Sequence, residues 1–566
     1  MSTQAQPDDS LPANANPRRR ARWLVYAGLL AIVACAAGVR ARLAPIPLER
    51  DEGEYAYMGQ AILRGELPYV DAYNFKLPGV YYTYALILSI FGQTHVGVHH
   101  GLIVINAATI VLLFLLVRRL MSPAEGLIAA AAFAFLSLSL PALGFTANAE
   151  HFVILPAVAG SLLLLIGSQE DRSGVLLWSG FLFGLGFLMK QHGAAFMAFG
   201  GLYLLLHNLI QRRGWIRTFG QCVLFSAAAV APYAITCLYM ALMGAFDEFW
   251  FWTFQQARDY TGLIDFETGM TSLAYQVGSI GGASIALWLL ALLGLTALAW
   301  DRPARRKSLF VGLFTLFSFA AICPGLMFRE HYFILLFPAA CVLVAIACGA
   351  LGRLAREIQP SWVAPGITAA TAALGVATAV FQQADYLFWQ EPNVICRQSY
   401  PFNPFVQSLK IAEYIREHSG QDDRVAVLGS EPQILFYSNR RSATGFIMVY
   451  PMTEPHSYSL DLQQQMIVQI EKTRPEFVVS VTIPTSWCFY EGAPRRIIDW
   501  MNPYLREHYD VVGVADLVSA DYTAYRWGED TRSYRTQPGG FYVFTHRRKT
   551  QSPATPNAPT TTGNGE

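Results

Sequence analysis

Eleven apolar runs, each long enough to cross a lipid bilayer, set what this chain can fold into. A hydrocarbon core about 30 Å thick needs about 20 mostly apolar residues per helix. Backbone polar groups find no water there and must pair within the helix. The runs lie near residues 23–40, 99–117, 125–143, 150–167, 175–189, 192–209, 219–243, 275–299, 308–327, 331–351 and 362–381. A shorter aromatic run over 79–91, with Val80, Tyr81, Tyr82 and Tyr84, reads as interfacial or re-entrant.

Composition agrees, and it is uneven along the chain. Hydrophobic residues make up 53% and charged residues only 14%, against about a quarter charged in soluble domains. Residues 383–566 hold 37 of the 81 charged residues, a density close to that of a soluble domain. The net charge of +1 excludes a nucleic-acid binder acting through bulk positive charge and an acidic disordered protein. The sequence thus predicts a polytopic α-helical membrane protein of about 11 transmembrane helices followed by a soluble α/β domain. The expected boundaries are a disordered cytoplasmic tail at 1–22, a transmembrane domain at 23–382 with a first outer loop at 41–98, an outer domain at 383–548, and a second disordered tail at 549–566.

Orientation follows from the basic residues. With the N-terminus cytoplasmic, the inner segments collect 16 of them, from Arg18 to Arg356, and the outer loops before residue 383 hold eight. The positive-inside rule therefore places the C-terminal domain outside the cytoplasm. The first run is expected to be an uncleaved anchor, since no small-residue cleavage site ends it and ten more spans follow. No internal repeat or paired set of Gly/Pro-broken spans points to an inverted-repeat transporter.

In the outer domain, Val406–His418 has helical spacing, Arg424–Leu428 follows as a strand, Leu462–Lys472 is a helix, and Glu476–Val481 and Phe541–Thr545 are further strands. Gly429-Ser430 lacks the rest of a phosphate-binding loop. Six of the eight cysteines lie in apolar runs and read as small buried hydrophobes. Cys396 and Cys488 are the two in the outer domain, where an oxidising compartment would permit a disulfide.

Charge near a membrane is costly without a partner or a task, so the outer-loop charges are the candidates for chemistry. The first outer loop runs Arg50-Asp51-Glu52-Gly53-Glu54-Tyr55 into an amphipathic helix through Leu63. Asp51 suits an N-cap there, and the other acids suit the helix dipole; Asp51 also suits a general base that accepts a proton from an acceptor hydroxyl. Glu150-His151 opens the fourth span, Lys190-Gln191-His192 joins the fifth and sixth, and Arg329-Glu330-His331-Tyr332 joins the ninth and tenth. All fall on the outer side, where cations can hold a phosphate leaving group while a carboxylate activates a nucleophile. Asp51, Glu52 or Glu150 with His151 could bind a divalent metal, but no tight ligand spacing indicates one.

Asp51-Glu52-x-x-Tyr55, Arg64-Gly65-x-x-Pro68-Tyr69 and Lys76-x-Pro78 resemble the first outer loop of the GT-C glycosyltransferases of the protein-mannosyltransferase and aminoarabinose-transferase group. Ala147-Asn148-Ala149-Glu150, Lys190-Gln191-His192-Gly193 and His331-Tyr332 with Pro338 extend the resemblance over roughly residues 20–350. It implies a GT-C fold and inverting transfer of one sugar from a polyprenyl-phosphate donor to a lipid, glycan or protein acceptor on the outer face. It implies Asp51 as the base, Glu52 and Glu150 as residues that position substrate or Asp51, and Lys190, Arg329 and His331 as ligands of the lipid phosphate. Lys76, Tyr332, Tyr55 and His192 are expected as neighbours in substrate binding. No Trp-Trp-Asp motif of the kind found in oligosaccharyltransferases is present, which argues against block transfer of an oligosaccharide. Two other readings fit the composition: a transporter or flippase of lipid-linked sugars, and a membrane-anchored glycan-binding protein.

Overall fold

The computed structural model describes residues 17–358 and 363–550. The chain packs as two compact units, one formed by residues up to Ile46 and Phe75–Ile395, the other by Pro47–Asn74 and residues from Cys396 on. We call them the membrane unit and the sheet unit.

The membrane unit is helical throughout. It begins with α1 (Pro17–Leu43) and, after a segment that includes α2 (Arg50–Leu63) of the sheet unit, continues with α3 (Gly79–Phe91), α4 (His95–Leu120), α5 (Pro123–Leu136), α6 (Ala149–Glu170), α7 (Ser173–Met189), α8 (Ala194–Ile210) and α9 (Trp215–Leu242). Among the described residues, seven helices are long and apolar enough to span a membrane: Arg22–Leu43, His95–Leu120, Ala149–Glu170, Gln191–Ile210, Trp215–Leu242, Phe337–Arg356 and Val363–Gln382. Gly79–Phe91, Pro123–Leu136, Ser173–Met189 and Ser308–Ala320 are apolar but shorter.

One expected span is corrected. The run 275–299 is two helices, Phe266–Gly282 and Ile285–Trp300, bent by 107° at the break between them. Gly281 and Gly282 precede the break, and an apolar run reports no axis direction, so hydropathy reads straight through it. The tails also differ from expectation: residues 1–16 and 551–566 lie outside the described residues, but helix α1 already starts at Pro17. Lys549 is likewise ordered, its Nζ donating to the carbonyls of Arg506 and Glu507.

Without a hydrophobic driving force between helices in lipid, small residues set how closely they pack. Gly180 and Gly184 lie one turn apart on α7, and a Cβ on either would come within 2.3 and 2.2 Å of carbonyls of Phe225 and Ala229 on α9. Charge pins other elements of the unit. Arg353 grips Asp301 with Nε and Nη2, at 3.0 and 2.9 Å, and reaches Glu125 on α5 with Nη1 at 2.8 Å.

The sheet unit carries β1 (Arg424–Leu428), β2 (Arg441–Ser442), β3 (Phe477–Val481), β4 (Tyr509–Asp516), β5 (Ala524–Trp527) and β6 (Tyr542–Arg548) in the order β2-β1-β3-β6-β4-β5. β1 runs parallel to β2 and β3, whereas β6 is antiparallel to β3 and β4. β3 is buried along its whole length, as a continuous apolar strand covered on both faces should be. His546 on β6 is buried, with Nε2 2.9 Å from Ser480 Oγ on β3, and desolvation pushes its imidazole down to about 4.

Residues 47–74, read from sequence as part of a membrane-domain loop, pack in the sheet unit. Their contacts explain this. Leu48 N–H donates to Tyr437 Oη and Ser442 N–H to Tyr57 Oη, each at 2.8 Å, and Tyr73 N–H donates to the Gly445 carbonyl.

Candidate active site

The sheet unit holds Asp51, Glu52 and Tyr55 on α2. The N-cap is Glu49 rather than Asp51, a correction to the sequence reading. Glu49 Oε1 accepts the Glu52 N–H at 3.1 Å, Glu49 Oε2 accepts the Asp51 N–H at 3.0 Å, and Glu52 Oε2 accepts the Glu49 N–H at 3.3 Å. This is a reciprocal capping box with glutamate in place of the usual serine or threonine. Burial, then the Asp51 and Glu52 carboxylates beside it, raise the Glu49 carboxyl well above the ordinary glutamate range.

Glu52 therefore spends one oxygen on the helix end, while Asp51, partly exposed in the first turn, presents its carboxylate where the helix dipole favours negative charge. Tyr55 is buried. Gly53 is needed because a Cβ there would stand 2.7 Å from Gln433 Cβ and 2.8 Å from its backbone nitrogen.

In the membrane unit, α6 brings Glu150 to its first turn, fully buried, and Asn148 at the N-cap makes no capping bond. Glu150 Oε1 accepts from Lys190 Nζ at 2.5 Å and lies 3.9 Å from His331 Nε2. Glu150 Oε2 has no hydrogen-bond partner among the described residues. Lys190 Nζ sits 4.1 Å from the centre of the Tyr332 ring, a cation–π contact, and His192 and His331 pack edge-on against that ring at 4.6 and 5.1 Å. Arg329 lies close to Tyr260, which stacks on Phe75 at 4.9 Å, and Lys76 Nζ lies 5.9 Å from the Phe75 ring.

Of the residues singled out from sequence, Glu150, Lys190, His192, His331 and Tyr332 form one cluster, with Arg329 and Lys76 linked through Tyr260 and Phe75. Sequence reasoning passed over Phe75 and Tyr260, and it gave no role to Gln191, whose Nε2 donates to the Phe75 carbonyl at 3.1 Å. An aromatic residue near a membrane has too many ordinary uses to mark itself. In the sheet unit it gave no individual role to Glu49 or Arg50.

Cys396 and Cys488 stand as free thiols, so the disulfide that an oxidising compartment would permit is not formed. Cys396 is buried, whereas exposed Cys488 has a left-handed backbone after a short helix and directs Sγ to the Thr485 carbonyl at 3.3 Å. Among the described residues, no three His, Cys, Asp or Glu side chains are grouped to hold a metal ion.

Residues 76–239 match the family described as dolichyl-phosphate-mannose-protein mannosyltransferase. No curated protein matches the chain in sequence. The structure is similar to that of ArnT from Cupriavidus metallidurans bound to undecaprenyl phosphate, with 15% identity, a TM-score of 0.55, and coverage of 92% of this chain and 98% of that one. It is similar also to the oligosaccharyltransferase AglB from Archaeoglobus fulgidus, solved with an inhibitory peptide and a dolichol-phosphate, at 13% identity and a TM-score of 0.50, covering 90% of this chain and 75% of that one. The family match covers the segments that carry Glu150, Lys190 and His192, and the shared architecture shows a GT-C fold for this multi-pass membrane protein.

Proposed function

We propose that the chain transfers a single sugar from a polyprenyl-phosphate donor to a lipid, glycan or protein acceptor at the outer face of a bacterial inner membrane, with inversion at the anomeric carbon. The observation that carries this reading is the buried Glu150–Lys190 pair, ringed by His192, His331 and Tyr332, in which one carboxylate oxygen lacks a partner among the described residues. Buried polar atoms are nearly always satisfied, so an orphaned oxygen beside a cation suits a site that receives a polar ligand. The family's lipid-phosphate mannose donor and the undecaprenyl phosphate bound to ArnT support the class of donor.

In this reading Lys190, Arg329 and His331 hold the phosphate. An ammonium has three N–H donors, so Lys190 can keep Glu150 while reaching a phosphate oxygen. The acceptor hydroxyl attacks the anomeric carbon, its proton passes to the Asp51 carboxylate, the bond from the sugar to the phosphate oxygen breaks, and polyprenyl phosphate leaves with the electron pair. Glu150 orients Lys190 and the sugar, and Glu52 holds the helix turn that carries Asp51.

The test is transfer from radiolabelled polyprenyl-phosphate mannose and polyprenyl-phosphate aminoarabinose in membrane vesicles. Asp51→Asn should lower transfer by about 100-fold or more at equal expression, the scale of general-base catalysis. Undiminished transfer by the variant removes Asp51 as the base.

A further inference from the structure

Arg50 is out of place by local rules. It is the first residue of α2, where the helix dipole disfavours a cation, and three carboxylates, Glu49, Asp51 and Glu52, flank it. Among the described residues its one ion pair is with Glu431, which is fully buried and 2.6 Å from Nη2. Arg50 Nε also donates to the Ser430 carbonyl at 2.5 Å, and Nη2 donates to Asn403 Oδ1 at 3.1 Å. Its guanidinium carbon lies 5.3 Å from the Phe405 ring centre and 5.6 Å from that of Tyr450. Asn403 Oδ1 in turn accepts from Thr485 Oγ1 at 2.9 Å. Three separate stretches of the C-terminal chain thus converge on the one side chain next to Asp51, and a fourth braces Asn403. Three residues further on, Gly53 lets α2 lie directly against the backbone of Gln433.

We infer that Arg50 and Glu431 form a positioning pair through which the C-terminal chain sets the place of Asp51, an inference that rests on reading Asp51 as the base. The physical reason is twofold. A bidentate-capable guanidinium held by a buried carboxylate, a carbonyl and an amide oxygen fixes the start of α2 in position and rotation. The same hold keeps the Arg50 guanidinium on Glu431, Ser430 and Asn403 rather than on the carboxylates that flank it in sequence. Arg50 and Glu431 are positioning residues, since neither is asked to touch the reacting atoms.

The experiment compares wild type, Glu431→Gln, Arg50→Lys and the double variant Arg50→Met/Glu431→Gln as full-length protein. It reads transfer with the two labelled donors above and amide hydrogen exchange across α2 and the sheet. Glu431→Gln should lower kcat by about 10-fold or more with KM within about 2-fold, because misplacing a catalytic group costs rate rather than binding. Exchange should rise by about 10-fold or more at Asp51–Gly53 while β1 and β3 keep wild-type protection. Arg50→Lys, which keeps the charge but loses the fork, should move both readings the same way by less. The double variant, having no loose cation, should recover part of the kcat lost in Glu431→Gln.

Wild-type kcat with wild-type exchange at α2 in Glu431→Gln overturns the inference. So does a loss of protection spread equally over β1 and β3, which would make the pair a general support of the fold. Transfer absent from wild type, or retained by Asp51→Asn, sinks the functional reading instead, and the exchange data then still decide whether the pair fixes α2.

Discussion

Helices α2 and α6 both carry acids in the first turn, and the two beginnings are built by opposite means. At α2 the acids satisfy the backbone: Glu49 and Glu52 exchange hydrogen bonds with each other's N–H groups, all within four residues. At α6 Asn148 makes no cap, and Glu150 is held by Lys190, 40 residues further on. In the sheet unit the buried Glu49 and Glu52 are satisfied by backbone N–H groups of their own helix end. The fully buried Glu150 of the membrane unit instead needs a cation brought by another element, because an unpaired buried charge is costly.

Breaking the long-range half should have the largest effect. Lys190→Met leaves a buried carboxylate unpaired, which should cost about 3–5 kcal/mol of stability and reduce transfer by about 100-fold or more through loss of a charge aimed at the leaving group. Lys190→Met/Glu150→Gln should recover most of the melting temperature in detergent and none of the transfer. Recovery of both would reduce the pair to a structural ion pair.

The sheet unit offers a contrast that pH can test. Because the imidazole of His546 is pushed down to about 4 from 6.5, folding favours its neutral form. Its stabilisation is complete above the unfolded value and is lost as pH falls through the interval between the two, amounting to about 3 kcal/mol at most. Chemical denaturation at pH 7 and pH 4.5 should show this loss in wild type and a flatter profile in His546→Gln. Equal slopes would remove His546 as the titrating group.

The local half is the smallest. Glu49→Ala should cost about 1 kcal/mol, the usual size of a lost N-cap, and should raise hydrogen exchange in the first turn of α2 alone. The raised Glu49 carboxyl works in the sense opposite to His546: its contribution is full below the ordinary glutamate range and fades as pH rises through its raised value. Glu49→Gln keeps an acceptor without the charge, so it should cost less than Glu49→Ala and lose that pH dependence, as equilibrium unfolding at pH 5 and pH 8 would show.

Hydrophobic runs and strand patterns are properties of neighbouring residues, and these the sequence determined by itself. The apolar runs form helices, β1 spans Arg424–Leu428 as its pattern predicts, β3 starts within one residue of expectation, and the expected helix at 406–418 is found at Phe405–Glu417. The outer-loop charges were legible as candidates for the same reason, since charge next to an apolar run is conspicuous.

Tertiary structure alone decided who pairs with whom. The 107° bend in the 266–300 segment, the placement of residues 47–74 in the sheet unit, Glu150 with Lys190, and Arg50 with Glu431 each depend on chains meeting in space. Arg50 and Glu431 are 381 residues apart, and each alone reads as an ordinary surface charge. Hydropathy and capping rules act over a few residues, whereas a buried charge is assigned its partner by packing, and packing is not written in any local stretch of chain.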